Sequence, residues 1–393
     1  MSQEAYTSRQ RVIDAINHRE PDRIPYQLGC SLETAITVEA YDAWIKLRGL
    51  KEEPDDTLPN LFYEATGFKQ VPENILQEFK SDTRGFLLQM PDEPVSEITY
   101  EGTTMVFFDD WGIKWIKPEG SIYTDPDPHY FPLQGELTKE ALDNYAWPDP
   151  YDEGRFRGIA KEAKRLRDTG CAVLMSAYGL GQFDMHHLLR GMEPALMDFI
   201  LNPKETERLY QKITEIQIGV WEKALEVVGD NIDICMLSDD LGMQNSPLIS
   251  PDMYRNFIKP VHKDLIDSIK KNAKTEIQIL LHSCGSVRAI IPDLIETGVD
   301  ILNPIQVSAA DMDTRELKEE FGKELSFSGG GCDTQEILPR GTPDQVRDEV
   351  KRRIDDLAPG GGFLFCPVHN VQMDVPPENL EAMWETMLDY GKY

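Results

Sequence analysis

The chain has 393 residues, with 69 acidic against 40 basic side chains, a formal charge of −29, and 40% hydrophobic content. So acidic a balance argues against nucleic acid or an anionic membrane as partner, since both need clustered Lys and Arg. The six cysteines include no CxxC pair and are too few for a disulfide framework at this length. No apolar run approaches the roughly 18 residues of a membrane span, and residues 1–6 lack the basic and apolar regions of a signal peptide. The expectation is a reducing, cytoplasmic protein.

In chain order, residues 7–20 predict an amphipathic helix with Val12, Ile13, Ala15 and Ile16 on one face. Pro21-Asp22-Arg23 ends it, residues 24–29 predict a buried strand, and residues 35–80 predict helix interrupted at Pro54 and Pro59. From 84 to 135, short aromatic runs at 86–90, 104–108 and 113–116, broken by Asp, Gly and Pro, predict β-hairpins that form an excursion. Beyond 155 the rhythm becomes helix then strand. Helices near 155–168, 184–200, 204–228, 251–272, 286–296 and 343–357 alternate with strands at 171–176, 232–237, 277–281, 301–304, 325–327 and 363–365. That order implies right-handed βαβ crossovers and a parallel sheet. About eight strand candidates favour a closed (β/α)8 TIM barrel of the α/β class over an open sheet. The expectation is one domain spanning 1–393, with N-terminal helices and a β-rich excursion at about 84–135.

Barrels gather their chemistry where strands end. Those ends read Ser238-Asp239-Asp240, His282-Ser283-Cys284, Asn303 with Gln306, Cys332-Asp333, and Cys366 to His369. His282 and Cys284 flank one residue, so on an extended strand end they face the same side. A thiol and an imidazole there point to zinc. The third ligand is Cys366, favoured by softness, or His369. Three ligands leave a tetrahedral position open, whereas all four would close the site. Of Asp239 and Asp240, one faces inward as a displaceable fourth ligand or to orient a substrate cation or proton. The other caps the next segment. Cys30, Cys171 and Cys235 read as core thiols, while Cys332 stands open between core and site. His186-His187 reads as helix surface, and Asp110-Trp111-Gly112 as a turn whose Trp111 can close over a ligand.

Several of these blocks resemble the uroporphyrinogen decarboxylase superfamily. They are Arg9-Gln10-Arg11, Ala15 and Glu20-Pro21-Asp22-Arg23-Ile24-Pro25, then His282-Ser283-Cys284-Gly285, Gly341-Thr342-Pro343, and His369 followed by Pro376-Pro377-Glu378-Asn379. The resemblance covers nearly the whole chain and independently implies the barrel. Decarboxylases of that superfamily carry an Arg-Gln-Ala-Gly-Arg-Tyr segment after the first strand, which holds the tetrapyrrole's carboxylates. Here the place reads Gly29-Cys30-Ser31-Leu32-Glu33-Thr34, which disfavours a porphyrinogen. The other branch comprises zinc-dependent methyltransferases that exchange methyl groups with a corrinoid protein, among them coenzyme M methyltransferases and O-demethylase components. His282 and Cys284 match the first half of their motif, and by spacing their later Cys falls on His369. The resemblance therefore implies Zn2+, a corrinoid (cobalamin) protein as partner, and a small methylated substrate that is a methyl ether, thioether or amine. An O-demethylase component fits best, and a homodimer is compatible. One alternative is a metal-free decarboxylase of a small polycarboxylate, with Asp82 or Asp239 and His369 moving protons. Another is a corrinoid or ligand carrier, against which stands the lack of an Asp-x-His-x-x-Gly segment.

Overall fold

In the computed structural model, residues 6–60, 63, 66–92, 96–121, 123–177 and 181–393 are described. The first strand, β1 (Thr83–Leu87), is followed by four short ones, β2 (Thr99–Glu101), β3 (Thr104–Phe108), β4 (Lys114–Lys117) and β5 (Asp125–Pro126). Then come β6 (Ala172–Ser176), β7 (Ile234–Ser238), β8 (Gln278–His282), β9 (Ile301–Asn303), β10 (Ser326–Ser328) and β11 (Phe363–Leu364). Seven of them form one parallel sheet in the order β1-β6-β7-β8-β9-β10-β11. Its two edges meet through residues 24–28. Tyr26 bridges Phe365 in parallel, Gln27 N donates to Phe365 O at 2.9 Å, and Asp82 N donates to Tyr26 O at 2.8 Å. The expected first strand is thus the stave that closes the (β/α)8 ring.

Side-chain alternation sorts each strand into an inner and an outer row. Leu174, Met236, Leu280, Ile301 and Leu364 pack inside, together with Val12, Ala15 and Ile16. Those last three belong to the helix Ser8–Ile16, which plugs the ring at the strand starts by accepting from Gly362 N and Ser326 Oγ. Val173, Cys235, Ile279 and Phe327 face outward into the main core. At the same end, fully buried Asp82 receives Arg11 at 2.6 Å, Arg23 at 2.7 Å and Tyr26 N at 2.9 Å. The opening motif of the chain therefore builds a structural clamp. Asp82 lies at the opposite end of the ring from the strand ends, so it takes no part in chemistry there.

Three expectations are corrected. Residues 83–87 belong to the ring and not to the excursion, because they pair in parallel with β6 from Thr83↔Ala172 to Leu87↔Ser176. A strand buried on both faces normally reads as a continuous apolar run, but Thr83, Arg84 and Gly85 break it here, leaving Phe86 and Leu87 to look like part of a hairpin. The excursion proper is the antiparallel sheet β2-β3-β4-β5. Residues 35–80 hold regular helix over Val38–Arg48 and Glu73–Glu78, whereas 51–60 are not helical; Pro54 and Pro59 deny them amide donors and disfavour helical φ/ψ just before each ring. The helices Thr314–Phe321 and Pro377–Tyr390 were not anticipated, and the second buries Leu380, Met383 and Met387.

Candidate metal centre

The inner row carries polar side chains at the strand ends. Leu280 is followed two residues on by His282, Ile301 by Asn303, and Leu364 by Cys366. His282 Nδ1 lies 2.7 Å from Asn303 Oδ1, while Asn303 Nδ2 donates to Ser328 O at 3.1 Å and meets Ser328 Oγ at 3.2 Å. With the amide NH2 engaged by Ser328, the amide oxygen faces the ring, so Nδ1 carries its proton towards Asn303. Nε2 is left facing Cys284 Sγ, 3.4 Å away. The His369 ring, from the loop after β11, packs against His282 with centroids 5.4 Å apart and planes at 65°. Ligand atoms of His282, Cys284 and His369 all lie within 4.8 Å of one another.

The trio is electrostatically coupled. Burial alone would push the Cys284 thiol up, but the charge and hydrogen bond of His282 and a hydrogen bond with His369 outweigh it and bring the thiol down to about 7. Burial likewise opposes charge on His282, yet Cys284, Glu33 and Asp240 hold its imidazole well above the ordinary range. Cys284 N donates to Asp240 Oδ1 at 2.8 Å, and that carboxylate comes within 3.8 Å of His282 Nε2. Gly285, at φ +90°, makes this possible. A Cβ there would sit 2.5 Å from the Gly242 carbonyl carbon, so only glycine lets the two loops touch.

The other anticipated residues go elsewhere. Cys366 is buried inside the ring, with Sγ 3.8 Å from Gln27 Oε1 and 3.9 Å from Ser328 Oγ, and burial pushes its thiol up. It is not among the three clustered side chains. Asp239 accepts from Phe183 N at 3.1 Å, Asp184 N at 2.9 Å and His262 Nε2 at 2.8 Å. It caps the helix Gln182–Arg190, which precedes it in the chain, while Asp240 is the member of the pair that faces the trio. Cys332 is fully buried among core residues, as are Cys30 and Cys235, and Cys171 is buried as well. His186 is no surface residue: it is buried 3.1 Å from Tyr210 Oη and 3.3 Å from Asp198, and burial pushes its imidazole down.

The excursion roofs the ring mouth. Trp111 and Trp115, with Leu87, Met185 and Met236, wall a cavity that reaches Ser238, the register partner of His282. Glu33 and Asp109 also line it. Asp109 accepts from Trp111 N and Ile113 N, each at 2.9 Å, and from Trp115 Nε1 at 2.8 Å. Burial and nearby Asp110 push it up to about 7 against those bonds. Tyr123, also from the excursion, donates to Asn370 Oδ1 at 3.1 Å, beside His369. Sequence reasoning gave no role to Asn303, Glu33, Asp109 or Trp115. The signal for Asn303 was its place two residues beyond an inward Ile301, and for Glu33 its place in a segment where a resembling family carries arginine.

Fold and site together define an α/β barrel whose candidate metal donors sit at the C-terminal ends of its strands, the functional face of such barrels. The uroporphyrinogen decarboxylase (URO-D) family pattern matches residues 130–390, and the chain belongs to that family. It is 27% identical over 280 residues to the methylated-thiol–coenzyme M methyltransferase of Methanosarcina mazei, covering 69% of this chain and 65% of that protein. It is 28% identical over 145 residues to the methylcobamide:CoM methyltransferase MtaA of Methanosarcina barkeri, covering 36% of this chain and 39% of that one. The matches therefore span less than two thirds of either relative's length. A methyltransferase structure from Methanosarcina mazei shares the fold, with a TM-score of 0.64 at 16% identity over 98% of this chain and 99% of that one. Among the described residues, no helix is long and apolar enough to cross a membrane.

Proposed function

We propose that this chain is a zinc-dependent methyltransferase that moves a methyl group between a small methylated substrate and a corrinoid carried by a partner protein, acting as an O-demethylase component. The observation that carries the reading is the trio His282, Cys284 and His369 at the ring mouth. One sulfur and two imidazoles, with the far nitrogen of His282 held by an amide oxygen, are a donor set that fits Zn2+ and leaves a position for one further ligand. Asp240, held by Cys284 N and half exposed, lies 3.8 Å from His282 Nε2 and is the carboxylate nearest at hand as a further ligand. Zinc held there supplies Lewis acidity to the heteroatom that keeps the bonding electron pair when the methyl group departs.

The chain's own residues do the rest. Asn303 keeps the Nδ1 proton of His282 turned away from the donor cluster. Cys284, with its thiol held down to about 7, gives up its proton near neutrality. Trp111 and Trp115 cover the adjacent cavity, exclude water and position the methyl donor. In demethylation the carbon–heteroatom bond breaks, the methyl group passes to the reduced corrinoid, and the heteroatom keeps the electron pair and takes a proton. The imidazole at the place where coenzyme M enzymes of the resembling branch carry a later Cys supports a donor-specific enzyme over a coenzyme M one.

The test is formation of methylcobalamin from cob(I)alamin with a panel of methyl ethers, thioethers and amines. Turnover with at least one donor, abolished by Cys284→Ala in a variant with an unchanged circular dichroism spectrum, is the expected result. Undiminished turnover in Cys284→Ala refutes the zinc mechanism.

A further inference from the structure

The cavity beneath the excursion is lined by carboxyl groups with no basic side chain among its described residues. Glu33 and Asp109 line it, and its described lining includes no Lys, Arg or His. Asp109 is engaged by two backbone amides and Trp115, but Glu33 makes no hydrogen bond or ion pair among the described residues. Glu33 is half-buried in the cavity wall. In the same wall, Ser176 Oγ is buried and has no hydrogen-bond partner among the described residues. The cavity thus offers aromatic side chains, a spare hydroxyl and an unpaired carboxylate.

We infer that this cavity is the methyl-donor pocket and that it takes donors without an anionic group, with Glu33 as the residue that sets this specificity. The word donor rests on the proposed function, whereas the charge preference rests on the cavity alone. An entering carboxylate, sulfonate or phosphate gives up water, finds no Lys, Arg or His in the described lining and faces Glu33. An uncharged aryl ether loses none of this. Its ring packs on the tryptophans, and its heteroatom has Ser176 or Ser238 as a hydroxyl partner.

The experiment is titration of the zinc-loaded full chain, without corrinoid, with methoxybenzene and with 4-methoxybenzoate, followed by tryptophan fluorescence and calorimetry. The two probes differ only in the carboxylate. Wild type binds methoxybenzene at least about tenfold more tightly, the size expected of one like-charge contact in a partly screened site. Glu33→Gln shrinks that preference by tightening the carboxylate, and Glu33→Asp preserves it. Equal or tighter binding of 4-methoxybenzoate by wild type overturns the inference, as does an unchanged preference in Glu33→Gln. Binding of neither probe to folded protein overturns it too. If methylation of cob(I)alamin fails with every donor while the probe preference holds, the proposed reaction falls and the pocket's charge selectivity stands.

Discussion

Asn303→Ala removes the oxygen that orients His282. The Nδ1–Oδ1 contact is 2.7 Å long and both residues are buried, so no bulk water replaces it. Partners of this kind behind a metal-bound imidazole are worth about 10–100-fold in metal affinity, or about 1.4–2.7 kcal/mol. The substitution also removes the amide that donates to Ser328 O, and losing a partner of a buried polar group costs about 1–3 kcal/mol of stability. Asn303→Asp separates the two effects. It keeps an acceptor for Nδ1 but cannot donate to Ser328. Zinc affinity, read by competition with a chromophoric chelator at fixed pH, should fall in Asn303→Ala and stay close to wild type in Asn303→Asp, while both variants melt lower. Unchanged affinity in Asn303→Ala refutes the orienting role, and equal loss in the two variants assigns the effect to general destabilisation.

Thiol alkylation of metal-free protein should label Cys284 first, since the other five cysteines are buried. Its rate should rise with pH through a midpoint near 7, because the thiolate is the reactive form and the folded protein lowers its pKa; His369→Gln should move the midpoint up and zinc should protect. A midpoint near 9 contradicts the coupling. Asp82→Asn leaves Arg11 and Arg23 buried without their full counter-charge and should cost about 3–5 kcal/mol in chemical denaturation, with zinc affinity unchanged in the folded fraction. Loss of zinc binding in folded Asp82→Asn would contradict its placement at the far end of the ring.

The strands from β6 onward were legible because a parallel sheet buried on both faces writes itself as short apolar runs spaced by helices. The strand β1 lacks that pattern, since Thr83, Arg84 and Gly85 leave only Phe86 and Leu87 apolar, and it stands next to aromatic hairpins. His282 and Cys284 were legible from spacing alone. What followed β11 was not. Softness favoured Cys366, but Cys366 falls on the inward row two residues beyond Leu364, and alternation turns its thiol towards Gln27 and Ser328. His369 reaches the mouth through the loop that follows, whose path no periodicity encodes. Adjacent Asp239 and Asp240 had to diverge, but which one faced the site depended on the N-terminus of the helix Gln182–Arg190 and on His262, both distant in sequence. The aromatic excursion was visible as β structure, whereas the acidic character of the cavity beneath it depended on the loop bearing Glu33, which only the closed ring brings near.

The most direct test is the metal content of wild type and Cys284→Ser, purified without chelator and offered zinc, with X-ray absorption at the zinc edge. About one zinc per chain is predicted, with one sulfur at about 2.3 Å and the remaining ligands nitrogen or oxygen, and with the metal lost in Cys284→Ser. Folded wild type that stays empty, or zinc retained in full by Cys284→Ser, would contradict the account.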